Sequence, residues 1–416
     1  MGRIMRSMFV GLVSTAVLVA AVTSQAKTLE EILKEKGVIT ADEFEEAAKT
    51  NARVRYQPGK GITAETADGN YSANLGGYAQ LQYSYTDKDA DSAADVSDFR
   101  IRRFKLVLKG NLVTKRLGYK FQGEMAGGFV TEDAFLTYSF GKPLMLQLGQ
   151  FKPAQARQEL TSAARQLFPD RSLANDTFNL GRDDGLQVSG RIAGDRVGYG
   201  LGIFNGNGPN TRNPSNRHMI VCRLDVDPLG KTGMDEAGWP TDRPRMNIGG
   251  SFAGEKVGAD DVGGSFNRDN DVLDVALELD KLTAADFAAA YGGSLSWRLW
   301  TSNLGASWQG ASFAAEYYRL QVDPDLGSDW SANGYHVQAG YQVIPRTLEL
   351  AARYSSVEST AGNASARFDK SEIQFGVNYY FSGHDLKLQA DVTQVRDDLK
   401  AGADDTIGRL QAQFFY

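Results

Sequence analysis

The chain has 416 residues, a formal net charge of -6, 45 glycines against 11 prolines, and one cysteine, Cys222. A mean hydropathy of -0.35 excludes a bundle of membrane helices, and a lone cysteine excludes both a disulfide framework and a cysteine-built zinc site. Much glycine with little proline suits many strands and tight turns better than long helices.

Arg3 and Arg6 precede the uncharged run "MFVGLVSTAVLVAAV" (residues 8–22), and "SQA" (residues 24–26) supplies small residues for cleavage. This pattern reads as a secretory signal, residues 1–26, removed after Ala26. The run is shorter than the ~20 apolar residues of a membrane-spanning helix. Residues 27–50 carry the strongest helical signals. "TLEE" starts a capping box with Thr28 and Glu31, Gly37 stops the helix, and "TADE" repeats the box with Thr40 and Glu43. Their apolar stripe is too narrow for a core of its own, so the segment reads as a periplasmic helical segment that either packs on a partner, copies of itself included, or stands as a solvated arm. Residues 51–70, polar and glycine-containing, read as a linker.

From about Tyr71 the period changes to two. "YAQLQYSY" sets Ala79, Leu81, Tyr83 and Tyr85 against Gln80, Gln82 and Ser84, and "YKFQGEM" sets Tyr119, Phe121 and Met125 against Lys120, Gln122 and Glu124. "GYHVQAGYQV" sets Tyr335, Val337, Ala339, Tyr341 and Val343 against His336, Gln338 and Gln342. "LQAQFFY", residues 410–416, alternates likewise. Each run has the ~10 residues that cross a bilayer as a tilted strand. Long acidic stretches, residues 87–98, 258–271 and 397–405, separate some strands, and short links such as "TKR", "GKP" and "IPRT" join others. A soluble sandwich also alternates. A polar face rich in Gln, Lys, Arg and Glu, and tyrosines and phenylalanines recurring at strand ends, favour a membrane barrel with a wet lumen and aromatic girdles. The expected fold is all-β: an antiparallel transmembrane β-barrel over residues 71–416, of about 16 strands within a range of ~14 to 18, with residues 272–308 the hardest to count. The last strand is expected to close against the first, because an open sheet edge in lipid leaves backbone groups unpaired.

One stretch breaks the rhythm. Residues 154–185, with Arg157, Arg165, Arg171 and Arg182, are too many for a turn and lack the acidity of the other long loops. The expectation is a loop folded into the lumen as a constriction.

"FRIRRFKLVLKGNL", "GQFKP" followed by "QELTS", "FPDRSLAND", "GRDDGLQVSGR" and "FNGNG" resemble the phosphate- and pyrophosphate-selective O/P porin family of bacterial outer membranes. "KGVITADEFEE" and the "GVNYYF" and "LQAQFFY" ends fit it too. The resemblance implies homotrimers of 16-stranded barrels, an inward third loop, and Arg and Lys side chains lining a path for small inorganic anions. The family's paired arginines map to Arg102 and Arg103, and its lysine after "GQF" to Lys152. Parity with Lys105 and Lys109 places Arg103 in the lumen; Arg102 joins it if the strand is bulged there or if Arg102 lies beyond the bilayer. Lys105, Arg157 and Arg165 are further candidates. The family's phosphate-preferring members resemble one another in an arginine near the start of the first strand, where this chain has Tyr78 and Gln80.

The resulting expectation is an outer-membrane anion porin in contact with lipid, with no cofactor, no metal site among the scattered His218, His336 and His384, and no nucleic-acid partner. A weakly selective porin, a barrel hydrolase acting on lipids, and a structural protein held by its helical arm are the competing readings.

Overall fold

Strands that alternate between lipid and water have to pair on both edges, because the hydrocarbon offers no partner to a free N–H or C=O. The computed structural model of the protein describes residues 33–43, 53–89, 94–263, 279, 281–360, 368–399 and 404–416. It divides into two units, residues 1–51 and 52–416. In the first, Gly37 adopts φ 68° and its N–H donates to the Lys34 carbonyl at 3.0 Å. Thr40 and Glu43 form the reciprocal box, with Glu43 Oε2 accepting from Thr40 N at 2.7 Å and Thr40 Oγ1 accepting from Glu43 N at 3.2 Å. The Thr28 box and the export signal lie outside the described residues.

The second unit begins with a hairpin, β1 (Arg53–Gln57) and β2 (Gly61–Glu65). Part of the expected linker, residues 51–70, is therefore ordered strand, and β2 pairs with the start of the next strand from Glu65↔Ser72 to Ile62↔Leu75. Sixteen antiparallel strands follow among the described residues: β3 (Ser72–Asp87), β4 (Val96–Leu112), β5 (Thr114–Glu124), β6 (Val130–Gly141), β7 (Leu144–Phe151), β8 (Asp183–Ile192), β9 (Val197–Phe204), β10 (Met219–Val226), β11 (Arg245–Gly258), β12 (Ser294–Trp308), β13 (Ala311–Pro324), β14 (Trp330–Ile344), β15 (Leu348–Ser359), β16 (Asp369–Ser382), β17 (Leu386–Asp397) and β18 (Asp405–Phe415). Each pairs with its neighbour in sequence, and β18 pairs with β3 from Phe415↔Tyr78 to Thr406↔Asp87, which closes the barrel. At that seam Tyr416 and Gly77 exchange backbone hydrogen bonds of 3.1 and 3.2 Å. Gly77 is required there: a Cβ would lie 1.9 Å from the Lys105 carbonyl oxygen.

The two faces separate as the alternation requires. On β14, His336, Gln338 and Gln342 point inward and are buried, while Tyr335, Val337, Tyr341 and Val343 point outward. On β18, Gln411 and Gln413 are inside and Leu410 and Phe414 outside. Long connections gather at one end and tight ones at the other, among them Val113 at φ 64° and residues 142–143 and 345–347. The expected link "TKR" is mostly strand, since β5 begins at Thr114. The region hardest to count holds β12 and, before it, helix α3 (Ala284–Tyr291), opened by a Thr283–Asp286 capping box. That helix, and an 18-residue segment at the tight-turn end, residues 227–244, have no counterpart among the expected elements.

The connection between β7 and β8, residues 152–182, enters the lumen. It holds α1 (Arg157–Leu160), a 3-10 turn (Ala163–Arg165) and α2 (Leu173–Phe178), whose N-terminus is capped by Ser172 Oγ at 3.1 Å from Asn175 N. The expected span was 154–185; its last three residues belong to β8. The loop folds inward because the inner wall offers it apolar seats. Phe178 stacks on Tyr318 with centroids 5.5 Å apart, and Phe168 lies under the Arg353 guanidinium at 4.5 Å. Both phenylalanines are fully buried, each burial contributing about 1.5–3 kcal/mol. They fit because the wall is cut away opposite them: a Cβ on Gly334 would sit 2.4 Å from Phe178, and one on Gly376 2.8 Å from Phe168.

Gly334→Val is therefore expected to displace α2 and to destabilise the barrel by about 1–3 kcal/mol through overpacking. The checks are a lower melting midpoint in detergent and an altered single-channel conductance. Wild-type values for both would show that the glycine is no seat.

Candidate permeation site

The inner face of β4 presents Arg103, Lys105 and Lys109, and Lys109 lies in register with Lys120 of β5. Two adjacent arginines reach the lumen because the strand is bulged: pairing with β3 steps from Gln80↔Arg103 to Leu81↔Ile101, which leaves Arg102 without a ladder partner. Both guanidiniums converge on Asp170 of the loop, Arg102 NH2 at 2.9 Å and Arg103 NH2 at 3.4 Å from Oδ1, and Arg409 of β18 approaches Oδ2 at 3.5 Å. Burial raises the Asp170 carboxyl, but the charges of Arg102, Arg103 and Arg409 outweigh it and hold it well below the usual carboxylate range. Arg103 also donates to Gln80 Oε1 at 2.8 Å.

Opposite this wall Lys152 leaves the end of β7. Its ammonium pairs with the Glu159 carboxylate and donates to the Glu159 carbonyl at 2.8 Å. Arg171 Nε meets the other oxygen of Glu159 at 3.0 Å. Burial raises Glu159, yet Arg171 and Lys152 bring it down to about 2. Burial and the Arg171 charge lower Lys152 to about 7, against the opposing pull of Glu159. Arg182 Nε is 2.6 Å from Asp133, Lys120 Nζ is 2.5 Å from the other oxygen of Asp133, and Lys105 lies between Glu124 at 2.7 Å and Glu132 at 2.5 Å.

These groups surround a chamber of about 310 Å³ between the loop and the β4–β7 wall. Six cations line it, Arg103, Lys105, Lys120, Lys152, Arg171 and Arg182, against three carboxylates, Glu132, Asp133 and Glu159, with Glu124 and Asp170, the partners of Lys105 and Arg103, just outside the lining. Arg103 and Arg171 also line a chamber of about 390 Å³ towards the long loops. Lys120, Gln122 and Tyr78 also line one of about 1200 Å³ towards the tight turns. The small chamber shares lining residues with each of the other two, so the three adjoin.

The lumen around Arg157 is filled by the loop and the β10–β11 connection. Arg157 is buried there and reaches Asn247 Oδ1 at 3.2 Å and the Gly233 carbonyl at 3.0 Å, away from the chamber of Lys152. Arg165 is exposed and faces the turn-end chamber instead. Of the expected residues, Arg103, Lys105 and Lys152 share the small chamber, Arg102 lines the next one, and Arg157 and Arg165 join neither. Arg171 and Arg182, legible only as loop charges, enter the chamber, and Lys120 comes to it by register with Lys109.

The filling depends on the turn-end segment, residues 227–244, which rises to meet the loop from below. Glu236 accepts from Leu167 N at 2.9 Å and from Gln158 Nε2 at 3.2 Å, and its own N–H donates to the Arg165 carbonyl at 3.1 Å. Nothing in the sequence marks this contact, since the residues are ~70 apart.

A closed barrel wet inside and apolar outside, narrowed by its own charged loop, defines an outer-membrane porin. The family model for phosphate-selective porins O and P matches residues 73–238 and 291–416. The chain belongs to that family. An uncharacterised protein of Aquifex aeolicus is 25% identical over 97% of this chain and 99% of its own length. Porin O of Pseudomonas aeruginosa is 23% identical over 77% of this chain and 74% of its own. Among solved structures, an anion-selective porin from Comamonas acidovorans superposes with a TM-score of 0.55 at 15% identity, covering 83% of this chain and all of that one. The trimeric form of OmpT from Vibrio cholerae gives 0.54 at 12% identity, covering 83% and 99%. At these identities the structures share the fold.

Glu236→Ala is expected to release the loop tip, leaving the part-buried Leu167 N–H unpaired at a cost of about 1–3 kcal/mol. Single-channel records should show greater open-state noise; wild-type noise would contradict a supporting role. Lys152 carries its charge below about pH 7 and sheds it above, so the anion-to-cation permeability ratio should fall as pH rises from about 6 to 8. Lys152→Arg should remove that step.

Proposed function

We propose that the protein is a passive channel for small inorganic anions, phosphate among them, and that solutes pass through the chamber bounded by Arg103, Lys105 and Lys152. The observation that carries this reading is the excess of six cations over three carboxylates around that chamber. Fixed positive charge in an enclosed space replaces part of an anion's hydration and repels cations. Arg103 offers a planar fork suited to phosphate oxygens, and Lys152 a point charge. Family membership and the anion-selective porin among the structural neighbours support a channel over a lipid hydrolase, and a trimeric neighbour supports assembly as a homotrimer.

Each cation of the chamber already has a polar partner. Lys105 is held by two glutamates, Lys152 and Arg171 share Glu159, and Arg103 is tied to Gln80 and Asp170. A phosphate must compete with these carboxylates, and Tyr78 and Gln80 add no charge of their own. The reading is therefore an anion preference with weak retention of phosphate.

Reversal potentials in a salt gradient across a planar bilayer test this. Anion preference is expected, and cation preference would refute it. Lys152→Glu should lower the anion-to-cation permeability ratio by at least about fivefold, since one unit charge at ~4 Å in water is worth about 1 kcal/mol. An unchanged ratio would remove Lys152 from the path. Phosphate should reduce chloride current only at millimolar levels, about 4 kcal/mol of binding. Micromolar block would show that phosphate displaces the carboxylates.

A further inference from the structure

The outward face of the barrel is not uniform. Along the cross-strand row Leu148–Leu186–Ile203–Ile220–Gly254–Arg298–Gln321, apolar side chains on β7–β10 give way to polar ones on β12 and β13. The next row gives Cys222–Phe252–Trp300–Arg319–Asn333 from β10 to β14. Because barrel strands tilt, these rows climb towards the long-loop end as they pass around the wall.

Two tryptophans measure the height of this patch. On β12 the outward side chains run from Trp308 to Trp300, each about half exposed. Eight residues of strand cover about 27 Å, roughly 20 Å along the membrane normal at a ~40° tilt, close to the ~25 Å apolar band between aromatic girdles. Trp300, Tyr317 and Tyr335 thus mark the girdle at the long-loop end. Arg319 stands directly across from Trp300, and Arg298 lies two residues further towards the loops. Lys256 is outward on β11 in the same zone, 3.9 Å from Asp325 Oδ1, with its side chain 56% exposed.

Arg298 NH2 pairs with Asp323 at 3.0 Å from the loop side, and half of its side chain remains exposed. Among the described residues, Arg319 NH1 contacts an amide oxygen, Asn333 Oδ1 at 3.1 Å, which Tyr317 also reaches at 2.8 Å. A guanidinium at headgroup depth, beside an indole and facing away from the barrel, is placed to take an anion from the membrane.

We propose that Arg298 and Arg319, with Lys256 beside them, form a binding site on the outer wall for the phosphate of a lipid in the leaflet at the long-loop end. In a bacterial outer membrane that lipid is a phosphorylated diglucosamine lipid. The guanidiniums take the phosphate oxygens, Trp300 and Tyr317 lie against the sugar and the first carbons of the chains, and Asn333 orients Arg319. The site lies outside the lumen and does not depend on which solute passes through it.

The test uses the folded full-length protein in detergent and native mass spectrometry to read retained lipid. The probes are the bisphosphorylated diglucosamine lipid, its dephosphorylated form and phosphatidylglycerol. Wild-type protein should retain the first at least about tenfold more strongly than the second, as loss of one charge-assisted hydrogen bond implies. Combined Arg298→Gln and Arg319→Gln substitution should abolish that preference while bilayer conductance stays unchanged, which also shows that the variant has folded. Should the double variant fail to insert, Arg319→Gln alone serves with the same readout. Equal retention of the phosphorylated and dephosphorylated forms overturns the site, as does equal retention by wild type and variant. Equal retention of phosphatidylglycerol overturns the choice of lipid.

Discussion

Hydrocarbon has no hydrogen-bonding partner for a peptide group, and the rest of the molecule follows from that constraint. It forces β18 back onto β3, with Tyr416 and Gly77 completing the seam. Closure in turn fixes two solvents for one chain. Alternate residues meet lipid or the lumen, and a sixteen-stranded cylinder is too wide for its own wall side chains to fill. Whatever narrows it has to be brought in from the connections.

Two connections do this from opposite ends. The loop of residues 152–182 is held by apolar packing of Phe168 and Phe178 into seats left by Gly376 and Gly334. The turn-end segment meets it through Glu236. Both lie against the β11–β17 wall, and a small chamber is left on the β4–β7 side, where the inward ladder of Arg103, Lys105 and Lys120 stands. The uneven charge of the lumen is a by-product of asymmetric filling: cations stand on the wall that the filling leaves bare. Carboxylates on neighbouring strands and on the loop keep those cations from repelling one another.

The strand periodicity, the lipid-facing and lumen-facing sets, the closure of the last strand, the inward loop and the luminal parity of Arg103 could be read from residue order, because each rests on a local rule: a period of two, turn chemistry, or a long arginine-bearing stretch that interrupts the strand rhythm; Lys152 was marked only by the family resemblance. The bulge at Arg102 was foreseen as a condition, and the register supplied it. The Thr40 capping box was likewise local and is present.

What residue order could not convey is contact between segments far apart in the chain. Arg157 and Arg165 look equivalent to Arg171 and Arg182 along the sequence. Only the fold of the loop turns one pair away from the chamber and the other into it, since side-chain direction within an irregular loop follows from its apolar anchors and not from spacing. Glu236, Asp170 beneath three arginines, and Arg319 beside Trp300 belong to the same class: each acquires its chemistry from a neighbour that cross-strand register or loop packing supplies. The sequence by itself determined that the chain would be a closed wall with a wet interior, because alternation is a property of adjacent residues. The tertiary structure alone decided which side of that wall stays open, because packing density and charge pairing are properties of groups brought together from different strands.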